Sequence, residues 1–132
     1  MRVLVVDDDP IVLASCKRVL ETEGFSVVAA SSVGQAIEEA VAQAFGLIIT
    51  DIKMPERDGF QLMKKVSEWR RPTPVIAMSG YPTSESVQSS LKSGAFVFLP
   101  KPFTPDELLA ALRVVVPSEL NEHPEKTEGG LT

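Results

Sequence analysis

A doubly wound α/β fold, a five-stranded parallel sheet with helices on both faces, is what this sequence predicts, and two observations predict it. Five short segments (3–6, 25–30, 47–49, 75–78 and 96–99) are continuous apolar runs, interrupted only by Ser26, instead of alternating apolar with polar. Strands buried on both faces read that way, whereas half-solvated strands alternate. Each segment is followed by an amphipathic stretch with helix-end signals. Strict alternation of strand and helix implies parallel strands, because parallel neighbours need long crossovers, and these are right-handed.

The elements follow in order. Val3, Leu4, Val5 and Val6 make the first strand. Asp9-Pro10 supplies an N-cap and a first-turn proline for the first helix, whose apolar face is Val12, Cys16, Val19 and Leu20 and whose C-terminal signal is Gly24. The second strand, 25–30, precedes a helix marked by Val33, Ala36, Ile37, Ala40 and Val41. Leu47, Ile48 and Ile49 lead into a third helix opened by Asp58-Gly59, marked by Phe60, Met63, Val66 and Trp69, and closed before Pro72. The strand 75–78 precedes the weakest helix, with only Val87 and Leu91 apolar on a Ser-rich segment that ends at Gly94. Its thin apolar face makes it the expected most mobile and most partner-exposed helix. Phe96 to Leu99 form the fifth strand. Thr104-Pro105-Asp106-Glu107, a capping-box spacing, opens a helix carrying Leu108, Leu109, Leu112 and Val115 that stops at Pro117. The domain is expected over 1–117, and the polar, aperiodic residues 118–132 as a disordered tail or the start of a linker.

Composition narrows the function classes. A chain of 132 residues, 44% hydrophobic, suits one domain. A net charge of -5 argues against direct binding of nucleic acid or anionic membrane by this domain. No apolar run approaches the ~20 residues of a membrane span, and Met1-Arg2-Val3 leads straight into a strand, not a signal peptide, so a cytoplasmic location is expected. Cys16, at helical spacing among apolar residues, reads as a small buried hydrophobe. A single histidine, His123 in the tail, makes neither a metal site nor a catalytic pair.

Chemistry collects at the ends of the strands. Asp7-Asp8-Asp9 follow the first, Asp51 the third, Ser79 the fourth and Lys101 the fifth. In an open parallel sheet these ends share one rim, where ligands bind near the reversal of strand order. Each residue has a bland reading: Asp7 and Asp8 as a solvated loop, Asp9 as an N-cap, Asp51 and Ser79-Gly80 as turn formers, Lys101 as a surface charge. Four coincidences on one rim outweigh them. Clustered carboxylates raise one another's pKa unless a cation intervenes, and oxygen donors without a His or Cys cluster point to Mg²⁺. Metal, ammonium and hydroxyl together suit a phosphoryl group, and a carboxylate there can accept it as an aspartyl phosphate.

At this point the sequence resembles the receiver domains of two-component response regulators. The resemblance covers about residues 2–116 and is carried by Val5-Val6-Asp7-Asp8-Asp9-Pro10, Asp51-Ile52-Lys53-Met54-Pro55 with Asp58-Gly59, Ser79-Gly80, Gly94-Ala95 and Lys101-Pro102-Phe103. It implies the flavodoxin-like strand order 2-1-3-4-5. It implies that Asp51 is the phosphoacceptor, supplied by the phosphohistidine of a sensor histidine kinase or phosphotransfer protein. By the same resemblance Asp8, Asp51 and the main-chain carbonyl of Lys53 are Mg²⁺ ligands, with Asp7 acting through water. Lys101 is the phosphate-contacting lysine, before a cis Lys101–Pro102 bond, and Ser79 and Phe98 are the switch pair. A downstream effector, and homodimers through the fourth helix, fifth strand and fifth helix, complete the implied partners. Such a domain is no enzyme towards external substrates; it catalyses only its own phosphorylation and dephosphorylation.

Departures from the family pattern are Ser79 for threonine, Gly80 for alanine, which predicts a looser loop, and Phe98 without the hydroxyl of tyrosine. Pro100 removes a ladder donor and therefore fits only an edge strand. Lys53 and Tyr81, two residues beyond Asp51 and Ser79, are placed to hinder a hydrolytic water. Rival readings are a haloacid-dehalogenase-like phosphatase built on Asp7-x-Asp9, a phosphate-independent interaction domain and a flavodoxin-like cofactor carrier. Asp9 as a cap weighs against the first, the complete acidic set with Ser79 and Lys101 against the second, and the lack of a phosphate loop after the first strand against the third.

Overall fold

The computed structural model describes residues 1–54, 58–69 and 73–116; Pro55, Pro72, Pro117 and the tail 118–132, with His123, lie outside the described residues. Five strands, β1 (Arg2–Val6), β2 (Ser26–Ala30), β3 (Leu47–Asp51), β4 (Val75–Ser79) and β5 (Val97–Pro100), alternate with five helices, α1 (Pro10–Thr22), α2 (Val33–Ala42), α3 (Gly59–Ser67), α4 (Ser84–Lys92) and α5 (Pro105–Val115). All strand pairs are parallel and the order is β2-β1-β3-β4-β5, the doubly wound sheet that the apolar runs imply.

Strand residues divide by parity between two cores. Val3, Val5, Leu47, Ile49, Ile76 and Met78 pack under α1 and α5 against Cys16, Leu20, Leu108 and Leu112. Leu4, Val6, Ile48 and Ala77 pack on the opposite face against Val33 and Ala36 of α2 and Leu62, Met63 and Val66 of α3. The central strands β3 and β4 are buried along their whole length, while the edge strands β2 and β5 are partly exposed. Pro100 sits on edge strand β5, opposite Ser79, where its missing N–H leaves no inner ladder broken.

Local chemistry ends the helices as the sequence leads one to expect. Asp9 caps α1 through Ile11 N, and Gly24 follows its last turn at φ 96°. Thr104 and Glu107 close a reciprocal capping box on α5 at 2.8 and 3.1 Å. A second box, Thr83 with Ser86, opens α4.

Four details differ from the periodicity. The buried stripe of α3 is Gly59, Leu62, Met63 and Val66, an i, i+3, i+4, i+7 line that adds Gly59 and Leu62 to the expected face, while Phe60 and Trp69 pack against the same core only partly buried. Val41 is 79% exposed because it lies about 100° around the helix from Ala40. On α4 the buried residue is Ser90, whose hydroxyl donates to Val87 O at 2.8 Å and so needs no external partner, while Leu91 faces solvent. The fifth strand begins one residue later than its apolar run, leaving Phe96 63% exposed.

Candidate functional site

The parallel sheet carries its C-terminal strand ends to one rim, and the polar residues predicted there converge. Asp7 directly follows β1, Asp51 and Ser79 end β3 and β4, and Lys101 directly follows β5. β1 and β3 are neighbours, so Asp7 and Asp51 stand side by side at the point where the chain turns from one half of the sheet to the other. The Lys101 side chain reaches back across the rim. Its ammonium donates to Asp7 Oδ2 at 2.7 Å and to Asp51 Oδ2 at 3.0 Å.

Each remaining carboxylate oxygen has a backbone donor. Asp7 Oδ1 accepts from Asp9 N at 2.9 Å, and Asp51 Oδ1 from Lys53 N at 2.8 Å. Asp7 and Asp51 are buried, whereas Asp8 is exposed to solvent. Asp9 lies outside this cluster's chemistry, its own oxygen committed to capping α1. That disposes of Asp7-x-Asp9 as a nucleophile and acid pair, and with it the observation that suggested a phosphatase.

Electrostatics follow from one ammonium serving two buried acids. Burial raises the pKa of Asp7 by more than its bonds to Lys101 and the Asp9 amide lower it. Burial also acts on Lys101, to lower it, but the bonds and charges of Asp7 and Asp51 outweigh that, and Lys101 is held protonated above its ordinary value. Cys16, under this rim, is pushed up to about 11 by burial and then by the Asp7 charge, which fits an inert core thiol.

Asp7, Asp8 and Asp51 each offer a carboxylate oxygen, all within 4.8 Å of one another. Three hard oxygen donors, one of them open to water, fit a divalent cation of the Mg²⁺ type. Lys101 partly takes the place of such an ion, since it already supplies the cation that the acidic cluster calls for.

Ser79 is buried and its hydroxyl accepts from Tyr81 N at 3.1 Å, while its carbonyl accepts from Lys101 N at 2.8 Å. Main chain thus ties the hydroxyl-bearing residue to the lysine. Phe98 is half-buried against the α2 and α3 core. The Lys101–Pro102 peptide is cis. Lys53 and Tyr81 are exposed beside the site.

The backbone after β4 does not require glycine at position 80. Gly80 is outside the left-handed region, and a Cβ there would meet nothing within 4 Å. Gly80→Ala should therefore be accepted and stabilise the fold by about 0.4–1 kcal/mol through the unfolded chain. A lower midpoint in thermal unfolding would contradict this.

Residues 3–113 match the response regulator receiver domain. The chain belongs to that family. Among relatives, this receiver domain is 36% identical over 110 residues to the transcriptional regulatory protein ZraR of Escherichia coli K12, covering 83% of this chain and 25% of ZraR. It is 37% identical over 111 residues to an uncharacterized 14.6 kDa protein of Leptolyngbya boryana, covering 83% and 85% of the two chains. It therefore spans about a quarter of ZraR but most of the Leptolyngbya protein. Among solved structures, a CheY-like receiver domain protein from Methanospirillum hungatei superposes with a TM-score of 0.83 at 33% identity, covering 92% of this chain and 98% of that one. The chemotaxis response regulator CheY4 of Vibrio cholerae gives 0.81 at 31% identity, covering 87% and 98%. Receiver domains of this family work with kinases and effector domains. No helix among the described residues is long and apolar enough to cross a membrane.

Two residues of the site escaped sequence reasoning. Thr50, buried just before Asp51, donates its hydroxyl to Asp51 O at 2.9 Å. Its signal was a lone hydroxyl between the apolar run Leu47-Ile48-Ile49 and Asp51. Gly59 was legible only as a helix opener, yet its Cα lies against the Asp51–Ile52 backbone.

Proposed function

We propose that this receiver domain accepts a phosphoryl group on Asp51 from the phosphohistidine of a sensor histidine kinase or phosphotransfer protein in the cytoplasm, with Mg²⁺ as cofactor. The observation that carries the reading is the Lys101 ammonium, 2.7 Å from Asp7 and 3.0 Å from Asp51, joining residues 94 and 50 positions away. A lysine poised between two buried acids is ready to exchange a carboxylate for phosphoryl oxygens.

In the transfer, a carboxylate oxygen of Asp51 attacks phosphorus, the P–N bond to the donor histidine breaks, and the leaving imidazole nitrogen keeps its electron pair and takes a proton. Asp8 and Asp51, with the main-chain carbonyl of Lys53, would hold the Mg²⁺, and Asp7 would act through water. An ion held there would supply charge neutralisation for the transferring group. Lys101 shifts its ammonium onto a phosphoryl oxygen. The Ser79 hydroxyl, now an acceptor from Tyr81 N, turns to donate to another.

Because Lys101 N is bonded to Ser79 O at 2.8 Å, their movement is transmitted to β5. Phe98, only half-buried, then moves inward, and α4, β5 and α5 repack for a downstream effector or a second copy. The donor approaches over a cleft of about 380 Å³ beside Lys101, between α1 and the loops after β4 and β5. Exposed Ile11 and Tyr81 flank it. No external substrate is turned over; the group is stored on Asp51 and then lost to water.

Incubation with acetyl phosphate and Mg²⁺ should add one phosphoryl group by intact mass, and Asp51→Asn should add none. Labelling of Asp51→Asn, or label mapped to Asp7, would sink the assignment.

A further inference from the structure

Gly59 opens α3, a position where alanine is the better helix former and where no positive φ asks for glycine. Space explains it. A Cβ on Gly59 would stand 2.9 Å from Ile52 Cα and 3.1 Å from the Asp51 carbonyl carbon, and closer still to Asp51 O. All three are backbone atoms of a buried strand end and cannot rotate away. Gly59 N also donates to Ile52 O at 3.4 Å. The Thr50 hydroxyl donates to the same Asp51 carbonyl at 2.9 Å.

We infer that Gly59 and Thr50 are positioning residues that seat the Asp51–Ile52 peptide and so fix the carboxylate of Asp51 in front of Lys101. The bare Cα of Gly59 sets how closely α3 descends on that peptide, and the Thr50 hydroxyl holds the orientation of its carbonyl. Both act through the backbone of Asp51 and touch neither phosphoryl donor nor metal. Asp51 has little slack, because its carboxylate must meet Lys53 N and Lys101 Nζ together. This rests on the reading of Asp51 as the phosphoacceptor.

With acetyl phosphate, an Asp51 oxygen attacks phosphorus, the bond to the acyl oxygen breaks, and acetate leaves. At saturating donor and Mg²⁺, Gly59→Ala should slow this step ten- to hundred-fold, the range for ångström-scale misplacement of a reacting group. The ¹³C shift of the Asp51 carboxyl should move. A matched core variant, Leu20→Ala on α1, should lower the melting midpoint while keeping the wild-type rate and shift. Thr50→Val should slow the step at least three-fold and Thr50→Ser restore it, which decides the matter even if Gly59→Ala fails to fold. Wild-type rates in Gly59→Ala or Thr50→Val, or equal slowing in Leu20→Ala, would overturn the inference. Labelling of Asp51→Asn would instead overturn the phosphoacceptor reading itself.

Discussion

Lys101→Met should cost the metal-free protein about 3–5 kcal/mol at neutral pH, the scale for removing one partner of a buried ion pair. The lysine side chain is 17% exposed, and those of Asp7 and Asp51 are 0% and 6% exposed, so water cannot take over its role. Methionine keeps the apolar stem and deletes only the charge, leaving two buried carboxylates facing each other. pH should then expose the cause. Asp7 has a folded pKa above its unfolded value of 3.8, so the folded state binds the proton more tightly and the cost of burying its charge is relieved as pH falls towards 3.8. The gap between variant and wild type should therefore narrow on acidification. Lys101 is raised above 10.5, so its contribution is complete below that pH and is lost as pH climbs through the folded value. The variant should lack this alkaline loss, and Mg²⁺ should recover part of its stability. Urea denaturation across pH, with and without Mg²⁺, measures all of this. A deficit under about 1 kcal/mol, or one indifferent to pH, would show that the lysine does not hold the acids together.

Leu62→Ala should cost about 2–5 kcal/mol, as expected for a large side chain removed from a packed interior. Leu62 is fully buried between α3 and the sheet, on the stripe that begins at Gly59. Its loss should also speed amide exchange along α3, the helix that seats Asp51. Phe60→Ala, at a half-buried site, should cost less despite the larger side chain. If equilibrium unfolding ranks the two the other way, Leu62 is not the deeper anchor of α3.

The line of deepest burial on α3 marks where local pattern stops being informative. Phe60, Met63 and Val66 trace the face that meets the core, but its deepest line also takes in Leu62 and Gly59, and a glycine adds nothing to an apolar count. Finding Gly59 takes the strand beneath, because only a residue without Cβ can lie against the Asp51–Ile52 peptide. α4 teaches the same thing in reverse. Its buried Ser90 looks polar on the page and becomes acceptable inside only because its hydroxyl bonds Val87 O. The capping signals, by contrast, were readable, since Asp9, Asp58 and Thr104 act on amides two or three residues away.

The sequence by itself determined the doubly wound class, the capped helices and the identity of the rim residues Asp7, Asp8, Asp51, Ser79 and Lys101. These follow from short-range rules: continuous apolar runs for buried strands, and polar residues where each run ends. Only the tertiary structure decided that Lys101 bridges Asp7 and Asp51 while Asp8 stays in water, and that Gly59 lies against the peptide of Asp51. Those contacts join residues up to 94 positions apart. Their distances are set by strand order, register and the depth to which each helix packs, none of which is encoded within a few residues of the groups that meet.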